Sequence, residues 1–304
     1  MPATPVNGNT DKPYAPLTVA ELQAAPIGDL VVSAEELIAR PHIEQPFLIG
    51  PDLLPQPGRL LITGQAGTGK SFLTLTMASQ LASGEPIFGL VRTHKDEHYG
   101  EPRFPVARPY NVLYLDYEIP EAIRGELRLK PMAARFRCPD NLVFPKHPTL
   151  YRLHAQVEDE TTGSFSALKV LVDRLRPDVL IMDPLSSTHS LDENSIDMKR
   201  GLNNADQLID LFGCTVILVH HSSTKVARNA AGTRVDKAAI EQPRGHSSIV
   251  DWCDVHMHFE AAEPGVISMA FGKTRYCRRP DRRLLAVDFG TMEVAPISKF
   301  GAAE

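Results

Sequence analysis

The chain has 304 residues, 43% of them hydrophobic, and a formal net charge of -5, which excludes a protein basic all over that coats nucleic acid indiscriminately. No apolar run approaches the roughly 18 residues that cross a bilayer, so no membrane partner and a cytoplasmic location are expected. The four cysteines, Cys138, Cys214, Cys253 and Cys277, have no C-x-x-C spacing, which excludes a disulfide framework or a tight zinc site and makes them packing residues.

Residues 1–30 are rich in Pro, Ala and Thr without an apolar period, the pattern of a flexible arm. Residues 33–40 read as a short helix stopped by Pro41, with Ser33 as N-cap and Glu36 at the capping-box position. Such a helix is too short to stand alone and has to dock on this core or on a neighbouring subunit. The expected organisation is an arm over 1–44, a single domain over 45–297 and a tail over 298–304.

The apolar run Leu60-Leu61-Ile62, in a strand expected over 60–63, leads into Gly64, Gln65, Ala66, Gly67, Thr68, Gly69, Lys70 and Ser71, which fits G-x-x-x-x-G-K-[ST] at every fixed position. Glycines let the backbone curl so that its N–H groups point inward at phosphate oxygens, against the positive end of the following helix. That predicts ATP as ligand, bound by Gly64 to Ser71 and by Phe72 at the start of the helix. Lys70 adds a full charge near the β and γ phosphates, and Ser71 offers a hydroxyl to Mg²⁺, a hard ion that takes oxygen ligands. The helix is predicted over 70–83, with Gly84 as its stop.

Residues 91–109 are polar and contain proline, as in a loop or insertion, and a buried strand resumes over 111–116. Glu118 lies just past it and is the candidate general base that orients the attacking water. Asp116 competes, but alternation puts both acids on one face and only the outer one clears the rim. Residues 130–163 show no period and read as mixed loop. A helix over 164–176 stops at Pro177 and feeds the strand 179–182, after which Asp183 sits where P-loop NTPases put a carboxylate that helps hold Mg²⁺.

A further helix over 194–212 precedes the strand 215–219, which ends at His220 and His221. His221 is the preferred sensor of the γ-phosphate, passing its presence to the segment beyond. That segment, 222–246, holds five basic residues, Lys225, Arg228, Arg234, Lys237 and Arg244, against two acidic ones. Residues 273–283 hold six basic residues against one acid, so phosphate contacts are concentrated in two places. Four closely spaced runs, 255–260, 266–271, 283–289 and 292–295, read as antiparallel hairpins extending one edge. The alternation before them predicts an α/β fold, a mostly parallel central sheet flanked by helices, with ligand groups at the carboxyl ends of strands.

The P-loop, the Glu118 strand, Asp183 after 180–182, His220-His221-Ser222-Ser223, Arg244 to Ser248 and Lys273-Thr274-Arg275 come in the order seen in RecA-fold ATPases. Over about 45–290 the chain resembles the RepA-type hexameric replicative DNA helicases of plasmids and phages, grouped broadly with the AAA-family ATPases. The resemblance implies a RecA-like core, a homo-oligomeric and commonly six-membered ring, and ATP held between adjacent subunits. It implies that Lys273 and Arg275 reach the neighbour's γ-phosphate, and that the segment after His221 contacts single-stranded DNA through Lys225, Arg228, Arg234, Lys237 and Arg244. A primase or replication initiator is a further partner it implies, although no primase-like domain is present and 91–109 is outside the motif set. Two other readings stay open: a recombination mediator forming an open filament, and a nucleotide-gated protein-binding switch that does not unwind DNA.

Overall fold

The computed structural model describes residues 19–26, 31–39, 46–89, 104–133, 139–154, 164–222 and 247–297. Its strands in chain order are β1 Phe47–Ile49, β2 Leu54–Pro55, β3 Arg59–Gly64, β4 Val112–Asp116, β5 Leu142–Val143, β6 Val179–Asp183, β7 Thr215–His221, β8 Val255–Glu263, β9 Val266–Thr274, β10 Arg283–Asp288 and β11 Glu293–Pro296. The helices are α1 Val19–Ala24, α2 Ala34–Ala39, α3 Lys70–Ser83, α4 Glu121–Arg124, α5 Lys130–Ala133, α6 Phe165–Leu175, α7 Met198–Phe212 and α8 Ser248–Trp252. A π-helical turn, Gly125–Leu129, joins α4 to α5.

Among the described residues nine strands make one sheet, in the order β11-β10-β9-β8-β3-β7-β6-β4-β5. From β8 to β5 neighbouring strands are parallel, and from β8 to β11 they are antiparallel. The expected mostly parallel sheet with a hairpin edge is therefore present, with one correction. The run at 255–260 is part of the parallel core, paired with the P-loop strand from Leu60↔Val255 to Gly64↔Phe259. It turns into a hairpin only on its other side, because the period of a buried strand carries no information about direction.

Side chains alternate across this sheet and so build two cores. Ile62, Val179, Ile181, Ile217 and Val219 face α3, whose Leu73, Met77 and Leu81 they bury. Leu61, Leu180, Met182, Val216 and Leu218 face α6, α7 and α8 on the other side. Continuous apolar strands are what a parallel sheet covered on both faces requires.

Helix ends follow the side chains available to them. Ser164 Oγ accepts from Ala167 N at the start of α6, and Arg176 and Gly213 close α6 and α7 in the left-handed conformation. The helix expected from 194 begins only at Met198. Asp192 Oδ1 accepts from Asn194 N and Ser195 Oγ accepts from Asp197 N, so local turns capture the backbone that a helix would use. The stretch 130–163, read as mixed loop, contributes α5, β5 and a 3₁₀ turn at Pro148–Leu150 among its described residues. The end of the 91–109 insertion returns to the core, where Phe104, Val106 and Tyr110 are buried; residues 90–103 lie outside the described residues.

The Ser33 capping box is formed: Ser33 N donates to Glu36 Oε2 at 3.2 Å and Glu36 N donates to Ser33 Oγ at 3.0 Å. Yet every residue of α2 is exposed, with Ile38 at 84%, so among the described residues nothing of its own core covers this helix. Among the described residues no helix is long and apolar enough to cross a membrane.

Candidate nucleotide site

Strand β3 ends at Gly64, and the loop to α3 bends through Gly67 and Gly69 at φ of 80° and 82°, a region that side chains rarely tolerate. Gly69 is the N-cap of α3 and no side chain caps that end, so the first backbone N–H groups of the helix remain open to an anion. This contrasts with α6, where Ser164 occupies the equivalent place. Gln65, Ala66 and Gly67 are exposed on the rim, while Thr68 and Lys70 are buried behind them. The Phe72 ring turns into the core instead of the site, so only its backbone belongs with the loop.

Lys70 folds back over its own loop. Its Nζ donates to Gln65 O at 2.8 Å and lies 3.3 Å from His221 Nδ1. Burial lowers the Lys70 pKa, and the carboxylates of Asp183 and Glu118 work against that, so both acids act on the ammonium. A buried cation between two carboxylates at a helix N-terminus is prepared to exchange these partners for phosphate oxygens.

Asp183 ends β6, buried, and accepts a 2.7 Å hydrogen bond from the Tyr114 hydroxyl. Burial pushes its pKa up to about 6; hydrogen bonds from Tyr114 and Ser71 pull it down, and the charges of Asp116 and Glu118 push it up. Ser71 and Asp183 are thus brought together at the loop, a hydroxyl and a carboxylate, which is an oxygen pair suited to Mg²⁺. Among the described residues no group of three or more His, Cys, Asp or Glu is arranged to hold a metal. That is compatible with an ion carried in on phosphates and water.

The two acids beyond β4 have separate fates. Asp116 is buried and holds Arg124 at 3.2 Å, while its Oδ1 accepts from Glu118 N at 3.1 Å and Ile119 N at 2.9 Å. Glu118 is exposed past the strand end. Asp116 thereby builds the turn that presents Glu118 toward Lys70 and Asp183.

The two histidines at the end of β7 also diverge. His220 is fully buried, with Nδ1 3.9 Å from Glu193 Oε1, whereas His221 faces Lys70. Beyond them Ser222 N donates to Gly64 O, tying the end of β7 to the P-loop. Lys225, Arg228, Arg234, Lys237 and Arg244 lie outside the described residues.

Lys273 and Arg275 stand at the other end of the sheet. Lys273 pairs with His256, which is level with Leu61, three residues and about 10 Å below Gly64. Lys273 Nζ donates to Val250 O and Asp251 O, and Arg275 is 3.5 Å from Asp254, the acid that also accepts from Arg59 N. Arg59 opens the strand that Gly64 closes, so this pair sits at the amino edge while the phosphate loop sits at the carboxyl edge.

Three groups escaped the sequence reading. Tyr114 sits in an apolar run whose buried hydroxyl had to have a partner, a signal that was there to be used. Arg124 had none. Phe289, in the turn after β10, is 46% exposed, packs edge-on against Phe72 at 4.9 Å and crowds the space above Gly69, which places an open aromatic ring beside the phosphate loop.

A family model described as an AAA domain matches residues 23–226. No curated protein matches the sequence significantly. Among solved structures, the RadB recombinase aligns with a TM-score of 0.50 and 12% identity over 80% of this chain and 92% of that one. A second solved structure, of an ATPase domain, aligns with a TM-score of 0.50 and 11% identity over 80% of this chain and 86% of that one. A KaiC-like protein from Pyrococcus horikoshii OT3 gives 0.48 and 13% over 83% and 94%. At these identities the likeness is one of fold.

Proposed function

The chain belongs to the AAA domain family, with the fold of a RecA-type P-loop ATPase, and from that premise we propose that it is a ring-forming ATPase that translocates on single-stranded DNA and unwinds duplex. The observation that carries the shared site is the separation of Lys273 and Arg275 from their own P-loop. Cations at the amino edge of a parallel sheet cannot complete a site at its carboxyl edge, but they can complete that of a second copy. An arginine supplied in trans stabilises charge on the transferring phosphoryl group.

In this reading the P-loop amides and Lys70 hold the triphosphate, and Ser71 with Asp183 holds Mg²⁺, which when bound offsets charge on the β and γ phosphates. Glu118 accepts a proton from the attacking water and directs it in line. Phe289 offers a face on which a nucleotide base stacks. His221 exchanges Lys70 for the γ-phosphate and passes that change to the segment beginning at Ser222, whose Lys225, Arg228, Arg234, Lys237 and Arg244 grip the DNA backbone. The exposed apolar residues Val31, Val32, Leu37 and Ile38 cover the neighbouring subunit, linking the ring through the 1–44 arm.

The test is the rate of ATP hydrolysis with and without single-stranded DNA, alongside the mass of the assembly and electron microscopy with ATP and DNA. DNA-stimulated hydrolysis by a closed ring supports the proposal. A helical filament would indicate a recombination mediator instead, and a rate indifferent to DNA a nucleotide-gated binding switch.

A further inference from the structure

Thr63 is the residue before the P-loop. It is completely buried, and its hydroxyl oxygen lies 2.7 Å from His256 Nε2 and 2.8 Å from His258 Nδ1. Both histidines are on β8, which pairs with the P-loop strand on one side and with β9, the strand of Lys273, on the other. His256 stands opposite Lys273 in that register. Residue 272 has room only for glycine, because a Cβ there would collide with His256 Nδ1.

A hydroxyl has one proton, so Thr63 donates to one ring and accepts from the other. The chain therefore has two polarities. In the first, His258 Nδ1–H donates to Thr63, Thr63 donates to His256 Nε2, and His258 Nε2 is a bare lone pair. In the second, His256 Nε2–H donates to Thr63, Thr63 donates to His258 Nδ1, and His258 carries its proton on Nε2. Burial holds both rings neutral, each with a pKa lowered to about 4, so the choice is between tautomers and not between charges.

The cations around the rings decide between them. Lys70 and Arg282 act on His258, while Lys273 and Arg279 act on His256, beside the effect of His258 itself. His258 Nε2 is buried and hydrogen-bonds nothing among the described residues. A lone pair there is favoured by the Lys70 ammonium, which Asp183 and Glu118 offset only in part, and an N–H is favoured once phosphate oxygens add their negative charge.

We propose that Thr63, His256 and His258 form a two-state hydrogen-bond relay that reports occupancy of the P-loop to the strand carrying Lys273 and Arg275. Triphosphate binding in one subunit then alters the cations it presents to the next. The relay rests on the shared-site reading, since it matters only if those cations serve a neighbour. The switch conserves protons: one passes from His258 Nδ1 to the Thr63 oxygen, one from that oxygen to His256 Nε2, one leaves His256 Nδ1 for water, and one is taken up from water at His258 Nε2, which has to open transiently to solvent to receive it. Both sites bias one bistable element, which is the physical requirement for coupling between them.

Nitrogen NMR of the histidine rings in the assembled, isotopically labelled wild-type protein tests this directly, with assignment through the Thr63 methyl. Adding Mg²⁺ and a non-hydrolysable ATP analogue should move His258 from the Nδ1–H to the Nε2–H tautomer; tautomers that stay the same overturn the relay. In steady-state hydrolysis, Thr63→Ser should keep the cooperativity in ATP of the wild type, and Thr63→Val should lose it while ATP affinity changes by no more than about threefold. Equal cooperativity in the two folded variants also overturns it. Mixing Lys70→Ala with Arg275→Ala subunits in parallel separates the two ideas: regained activity with fixed tautomers rejects the relay alone, and no regained activity rejects the shared site.

Discussion

Lys70 Nζ and His221 Nδ1 lie 3.3 Å apart, which joins the phosphate-binding lysine to the last residue of β7. With Nδ1 facing an ammonium, a neutral ring keeps its proton on Nε2. A phosphate that draws Lys70 away frees this nitrogen, and the next residue, Ser222, is already tied to Gly64. His221→Ala should therefore change KM for ATP by less than about threefold and lower the DNA-stimulated kcat about tenfold or more, because a transmitted signal is lost and not ground-state binding. Hydrolysis measured with and without single-stranded DNA checks it. A large rise in KM with stimulation intact would make His221 a binding residue instead.

Tyr114 donates to Asp183 in a site where burial already raises the carboxyl pKa to about 6. Taking that hydrogen bond away leaves the charged form less supported and raises the pKa further. Tyr114→Phe should increase the Mg²⁺ concentration needed for half-maximal hydrolysis by about tenfold, in line with the loss of a group that orients a metal ligand. A Mg²⁺ titration of the ATPase rate at fixed ATP measures it.

Asp116 and Glu118 are two residues apart and should fail in different ways. Asp116→Asn breaks a buried pair with Arg124 and should cost about 3 kcal/mol of stability, visible as a fall in Tm. Glu118→Gln alters an exposed carboxylate and should leave Tm unchanged while hydrolysis falls by about 10²-fold or more. Thermal melts and single-turnover rates on both variants decide. Full activity in Glu118→Gln would remove it from the chemistry.

His256 and His258 set a pH dependence of stability. Their pKa values fall from 6.5 to about 4 on folding, so between those values the unfolded chain binds protons that the folded chain does not. The contribution of these two rings to stability is therefore greatest above 6.5, declines as pH drops from 6.5 toward 4, and levels off below, while Asp183, whose carboxyl pKa is raised to about 6, acts in the opposite direction. Each ring contributes about 3 kcal/mol over that range. Denaturant melts from pH 7.5 to 4.5 should show this slope, and His258→Gln, if folded, should show a shallower one.

Much of this was legible in the sequence because the strongest signals are local. The P-loop spacing, the apolar strands, the Ser33 capping box and the Gly84 stop each rest on residues within a few positions of one another, and the structure reproduces them. What was hidden depends on partners far apart in the chain. Nothing near residue 255 reveals that this strand lies parallel to β3, since direction is set by the crossover connection and not by the strand's own pattern. Residues 194–197 are compatible with a helix on pattern alone, and only the side-chain geometry of Asp192 and Ser195 shows that the backbone ahead of Met198 is captured. Thr63 reads as an ordinary buried strand residue, since its partners are on a strand nearly two hundred positions away.

The central claim is that each nucleotide site is completed by a second copy of the chain, and complementation tests it most directly. Lys70→Ala subunits lack the phosphate lysine, and Arg275→Ala subunits lack the cation offered to a neighbour. Each should be inactive alone, and an equimolar mixture should regain part of the wild-type ATPase rate wherever an intact P-loop meets an intact Arg275. No regained activity in assemblies shown by mass to be mixed, or full-rate hydrolysis by an isolated single copy, would contradict it.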